Sequence, residues 1–314
     1  MSDTQANQPG KESRDRRGPK GPIVAVLIGF AVVMPAGTLA AKPAPAPRDI
    51  TASARGAALA EAAADRMRER YGLATDAADL AVWEFGEHRI AGPRGAALST
   101  TEVVGTDGVA SIRVSTSEPA GKGGRPHAVR VTAEGLAAAA LGWQMVGSSC
   151  WTDMADRDIS YMDVCYHKWK ATSDGSAAHD YFALDMFSTF ATPAPVLETG
   201  DPWIKAWPSS TSAPATWHDW KPRADATGCT SNVNLSVSVN GFGLSLSGNR
   251  CETWDVTKGG QAGTFTNAWR EGLCQMENEE RELEFMVAVK VAQGKVPTWN
   301  FDWLEHVQLA SCIT

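Results

Sequence analysis

Six histidines, six cysteines and a tight group of tryptophans carry most of the chemistry open to this 314-residue chain. The histidines, His88, His127, His167, His179, His218 and His306, are scattered. Only His179-Asp180, with Asp185 close behind, sets an imidazole and carboxylates near a Ser/Thr-rich stretch. A histidine beside an acid is ordinary at the start of a strand, so a hydrolase built on it is a weak reading. The sequence has no GxSxG elbow, HExxH pair, P-loop or GxGxxG turn. No catalytic residue and no cofactor is assigned, and the chain reads as a non-enzyme.

Metal ligation gets no support from spacing either. Asp156-x-Asp158-x-Ser160, between Asp153 and Asp163, echoes the start of a calcium loop. The glycine at its sixth place and the glutamate at its twelfth are missing, which leaves a solvated acidic loop tip. Cys150, Cys165, Cys229, Cys251, Cys274 and Cys312 include no CxxC pair and no histidines at finger spacing, which argues against structural zinc.

Six cysteines, all in the second part of an exported chain, read as disulfides. Neighbour spacing favours 150–165, 229–251 and 274–312, each stabilising the fold by about 2–4 kcal/mol. Oxidised in this way, none is a nucleophile.

Trp203, Trp207, Trp217 and Trp220 form the best candidate for ligand contact, with His218 and Asp219 as polar neighbours. Indole faces suit a sugar ring or a lipid interface, although tryptophan is also the bulkiest core residue. Pro208 and Pro214 suggest that this stretch is a loop, with Trp207 or Trp217 the one exposed. The net charge is −7. With +2 in residues 1–40 and no basic stripe beyond them, the remainder is a poor partner for nucleic acid.

The elements that must position these residues begin with an export signal. Residues 1–20 are a basic flank that stays in the cytoplasm, and residues 21–41 a signal peptide or anchor. The continuous apolar run Ile23–Val33 is too short for a full span. Thr38-Leu39-Ala40 offers a cleavage site. The expected destination is secreted or extracytoplasmic, tethered only if the segment is retained. Residues 42–48 form an Ala/Pro linker.

Residues 49–126 read as a helix followed by strands. The helix carries Leu59, Ala63, Met67 and Tyr71 on one side and ends at Gly72. A Gly/Pro-rich break over 118–126 then leads to a domain over 127–314, where alternation dominates. About seven strands there, tied by disulfides, indicate a mainly β fold: an antiparallel sandwich or barrel-like C-terminal domain.

The clearest element is the hairpin over 231–250. Asn240-Gly241 demands a type I′ turn. Opposed residues then have numbers summing to 481, pairing Val239 with Phe242, Val237 with Leu244 and Leu235 with Leu246. Valine, leucine and phenylalanine occupy one face and serines the other. Cys229 and Cys251 sum to 480, so a bulge within 230–232 is expected to let them meet.

Such a ribbon suits half-buried sheet, a membrane-inserting stem or a serine face that touches a partner. Roughly eight residues per strand falls short of the 9–11 that a membrane strand needs. The preferred reading is therefore an exported, non-enzymatic binding or structural protein, contacting a glycan or protein surface. Membrane contact is confined to residues 21–41 if uncleaved, or to the hairpin in a β-pore-forming alternative. Exposed tryptophans over buried valines would favour binding, and an exposed valine face the stem.

Overall fold

The computed structural model describes residues 40–43, 46–86, 88–104, 110–119, 142–154, 161–172, 174–191, 197–199, 201–209, 214–223, 229–239, 242–251, 253–260, 263–270, 280–305 and 307–309. All of these lie in one compact unit, Thr38–Thr314. The fold is mainly β and antiparallel, with one α-helix among the described residues.

Along the chain come β1 (Ala40–Pro43), β2 (Arg48–Asp49), α1 (Ala54–Tyr71), β3 (Leu80–Phe85), β4 (His88–Pro93), β5 (Leu98–Val104) and β6 (Ala110–Ser117). The next strands are β7 (Trp143–Asp153), β8 (Tyr161–Ala171), β9 (His179–Ala191), β10 (Leu197–Thr199), β11 (Trp203–Pro208) and β12 (Ala215–Lys221). The chain continues through β13 (Cys229–Val239), β14 (Phe242–Cys251), β15 (Thr253–Lys258), β16 (Phe265–Arg270), β17 (Arg281–Ala292), β18 (Trp299–Glu305) and β19 (Val307–Leu309).

Two large sheets face each other. One has the order β12-β17-β9-β8-β7-β4-β3-β2, the other β1-β5-β6-β18-β11-β16-β15. Strands from before and after the 118–126 break pair directly, β4 with β7 and β6 with β18. Between the sheets lies an aromatic core. Trp151 of β7 sits 5.1 Å from Phe301 and 5.6 Å from Trp303 of β18, and Tyr166 of β8 stacks 4.7 Å from Phe301. Such offset and tilted ring pairs add to the stabilisation from area alone.

A buried ion pair also spans the sheets. Lys168 Nζ donates to Glu118 Oε1 at 2.6 Å, and the Trp299 N–H donates to Glu118 Oε2 at 3.0 Å. Burial, reinforced by Glu118, pushes the Tyr166 phenol well above its ordinary range.

The eight-stranded sheet is apolar on its outer side as well, and two elements cover it. Helix α1 covers one part. Ser53 Oγ caps its first turn by accepting from the Gly56 N–H at 3.0 Å, and Gly72 ends it in the left-handed region at φ 66°. The helix buries Ala60, Ala63, Ala64 and Met67 against Val82, Ala91 and the Cys150–Cys165 disulfide. That bond links directly paired residues of β7 and β8. Its chemistry belongs to an oxidising environment. No helix among the described residues is long and apolar enough to cross a membrane.

Several expectations need correction. The Trp203–Trp220 stretch is not a loop: it contributes β11 and β12, one to each large sheet. Trp203, Lys205 and Trp207 alternate with buried Ile204 and Ala206, a period of two that outweighs the flanking prolines. The strand count over 127–314 was too low, because short or polar strands such as β15 and β16 lack a strong apolar alternation. Beyond the break, the first described strand is β7, which begins at Trp143. The calcium-like Asp156 and Asp158 lie outside the described residues.

Candidate functional site

The second cover on the outer side is the β13–β14 hairpin. It forms a two-stranded sheet of its own and packs flat on the eight-stranded sheet. Its register is the one that the Asn-Gly turn requires, with Val239 opposite Phe242, Val237 opposite Leu244 and Leu235 opposite Leu246. The register then shifts between Thr230 and Val233, which brings Cys229 opposite Cys251. This is the bulge expected from the pairing arithmetic. The side chains of these two cysteines, and all of Cys274 and Cys312, lie outside the described residues.

Alternation gives the hairpin two unlike faces. Leu235, Val237, Val239 and Leu244 are at most 1% exposed. They pack on Trp143 and Met145 of β7, Trp169 and Ala171 of β8, Tyr181 and Ala183 of β9, and Met286 and Ala288 of β17. Ser238 on the opposite face is exposed and Ser236 half-buried. Neither the tryptophan platform nor Met286 was singled out by the sequence reading. The available signal was β8 itself: Trp169 and Cys165 alternate with Val164 and Tyr166, so both faces of that strand are apolar and both need a cover.

The edge strand β12 holds the hairpin by a polar contact. Its register against β17 shifts between Trp217 and Asp219, making His218 an extra residue. The bulge lets Trp217 and Trp220 both pack toward the inter-sheet core. It turns His218 and Asp219 toward the hairpin side, where His218 meets the Tyr181 ring edge-on at 5.0 Å. Asp219 Oδ2 accepts from the Ser238 N–H at 2.8 Å. Its Oδ1 accepts from the Trp220 N–H at 2.9 Å and from Arg223. One largely buried carboxylate therefore serves three donors, one of which lies in the hairpin.

The interface also carries an unfavourable element. The buried indole N–H groups of Trp143 and Trp169 meet no acceptor among the described residues. Each such donor costs about 1–3 kcal/mol and offsets part of the apolar burial.

The six candidate binding residues do not converge. Trp203 lies on β11, with Lys205 Nζ 4.4 Å and Arg113 Cζ 5.6 Å from its ring centre. Burial lowers the pKa of Lys205. Trp207 follows on the same strand. Trp217 and Trp220 are on the other sheet; Trp217 Nε1 donates to the Gly259 carbonyl at 3.2 Å, and Trp220 is flanked by Arg223 and Lys258, each 4.7 Å away. All four indoles are half-buried.

The His179-Asp180-Asp185 grouping is not assembled. Asp180 accepts from Gln293 and Gly294, while Asp185 pairs with His167 Nδ1 at 3.3 Å.

No family model matches the sequence, and no curated protein is significantly similar to it. Among solved structures, a "Pore forming protein" is 9% identical over 68% of this chain and 92% of its own, with a TM-score of 0.25. Clostridium perfringens delta-toxin is 7% identical over 74% of this chain and 79% of its own, with a TM-score of 0.15. At such scores neither likeness carries a functional assignment, and the site rests on its own geometry.

Proposed function

We propose that the protein is an exported, membrane-active protein whose β13–β14 hairpin leaves its platform and enters a bilayer as two strands of a β-barrel. One observation carries the reading: a two-sided hairpin, separate from both large sheets, has strands of 11 and 10 residues. That length meets the 9–11 residues a tilted membrane strand needs. That length counts the bulged base; the unbroken ladder spans Val233–Val239 against Phe242–Gly248.

The buried valines fall on the binding side of the criterion drawn from the sequence, but a water-soluble form of a stem must also hide the face it later gives to lipid. Releasing Leu235, Val237, Val239 and Leu244 into water would cost about 1.5–3 kcal/mol each, or about 6–12 kcal/mol together. Hydrocarbon returns a comparable amount, while water alone returns none. A lipid surface thus favours release, and the serine face then lines an aqueous lumen.

Two strands cannot satisfy their outer backbone groups in lipid, so the barrel must close with strands from other copies. Eight strands, the smallest barrel, would take about four chains. In this reading a Cys229–Cys251 disulfide fixes the base of the hairpin. Export follows from the basic flank and apolar run at 1–41.

Recognition of a glycan or protein surface remains a second reading. It is favoured by Trp203, a half-exposed indole held between two cations.

The test is dye release from phosphatidylcholine vesicles, with and without sterol, by the oxidised chain. Release of a small dye with retention of large dextran supports a barrel. Retention of both under all conditions overturns it, as does equal release of both, which would indicate detergent-like lysis.

A further inference from the structure

The inter-sheet core is closed at one end by three groups that the hairpin account does not use. His88 opens β4, Asp153 ends β7 and Glu305 ends β18. Strand alternation puts all three on the core side: His88 with Ile90, Asp153 with Trp151, and Glu305 with Trp303. One ligand atom from each lies within 4.8 Å of the other two.

We propose that His88, Asp153 and Glu305 form a binding site for a first-row divalent cation, with zinc the best fit, bridging the two large sheets. The donor set selects the class. One imidazole nitrogen and two carboxylate oxygens suit zinc or manganese; calcium prefers oxygen alone, and copper(I) prefers sulfur. Three protein ligands leave one tetrahedral position for water.

The geometry is close to what zinc needs. His88 Nδ1 lies 3.6 Å from Asp153 Oδ2. Zinc bonds of about 2.0–2.1 Å place neighbouring ligands about 3.4 Å apart in a tetrahedron. The remaining closure is side-chain adjustment by Glu305, which is half-buried.

Surrounding contacts hold the other two ligands in place. The His88 ring stacks on Phe85, with centroids 5.6 Å apart and planes at 13°. Asp153 is 2% exposed. Its backbone N–H donates to Asp163 Oδ1 at 3.1 Å, and its carbonyl accepts from Arg66 Nη1 at 2.9 Å. Residues 90 and 153 are direct partners in the β4–β7 ladder. Two ligands thus come from one rigid sheet and the third from the facing sheet. A bound cation would tie the sheets together at the end where α1 packs, whether or not the hairpin inserts.

Zinc chloride titrated into the EDTA-treated full chain tests this by calorimetry and thermal unfolding. One zinc per chain, and an unfolding midpoint raised by about 5 °C or more at a 100-fold excess over Kd, are expected. Glu305→Gln, which keeps the side chain's shape, and His88→Ala should each weaken binding at least tenfold. Calcium should give no shift. Absence of a zinc shift in the parent overturns the site, and so does zinc binding by both variants as tight as the parent's. The vesicle assay is unaffected by either result, so this proposal and the membrane reading fail separately.

Discussion

Asp219 is where the docked hairpin can be loosened without altering the hairpin itself. Replacing it with alanine removes the acceptor of the Ser238 N–H, a bond of 2.8 Å. A partly buried N–H left without an acceptor costs about 1–3 kcal/mol, more when the lost partner was charged. At about 1.4 kcal/mol per decade, the released hairpin should become about 5- to 150-fold more populated. Asp219→Ala should therefore raise the initial rate of dye release from vesicles and speed hydrogen exchange at β13 amides, both within that range.

Arg223→Ala is the control. Arg223 pairs with the same carboxylate, but its side chain is 54% exposed, and such a pair is worth about 0–1 kcal/mol. It leaves the bond to Ser238 intact and should change release little. An Asp219→Ala protein that keeps its fold by circular dichroism yet releases dye no faster than the parent, with unchanged exchange in β13, would refute the latch.

Other outcomes follow from the rest of the fold. Burial, then the neighbouring Asp163 charge, raises the pKa of Tyr71, whose hydroxyl donates to Asp163 Oδ2 at 2.8 Å. The fold keeps the neutral phenol, so this contribution is present below the unfolded value near 10 and is lost as pH rises beyond it. Tyr71→Phe should cost about 1–3 kcal/mol at neutral pH and flatten the alkaline limb of urea midpoint against pH. Gly92→Ala would set a Cβ 2.3 Å from Trp151 Cδ1, and that indole is wedged among Phe301, Trp303 and Tyr166. A loss of about 1–3 kcal/mol is expected in the urea midpoint with an unchanged slope.

Local patterns were legible where one residue type dictates backbone geometry. Asn240-Gly241 set the hairpin register, and the parity of Cys229 and Cys251 located its bulge. Gly72 ended α1, and Cys150 and Cys165 paired as neighbours. What failed depended on partners distant in sequence. Trp203 and Trp220 looked like one binding stretch, yet β11 and β12 join different sheets, and only a tertiary register could separate them. The β12 bulge that turns Asp219 toward Ser238 leaves no mark in local composition. His88, Asp153 and Glu305 come together only because three strand ends close the same edge of the core, so their spacing carries no metal signature.

The most direct test of the hairpin account is a single-cysteine scan from Leu235 to Val239, each position carrying an environment-sensitive dye, read before and after vesicles are added. The account predicts that positions 235, 237 and 239 move from a protein-buried signal to one quenched by lipid-borne quenchers. Positions 236 and 238 should stay accessible to an aqueous quencher. The same emission at all five positions after vesicles are added, or odd positions that remain buried in protein while dye escapes, would contradict it.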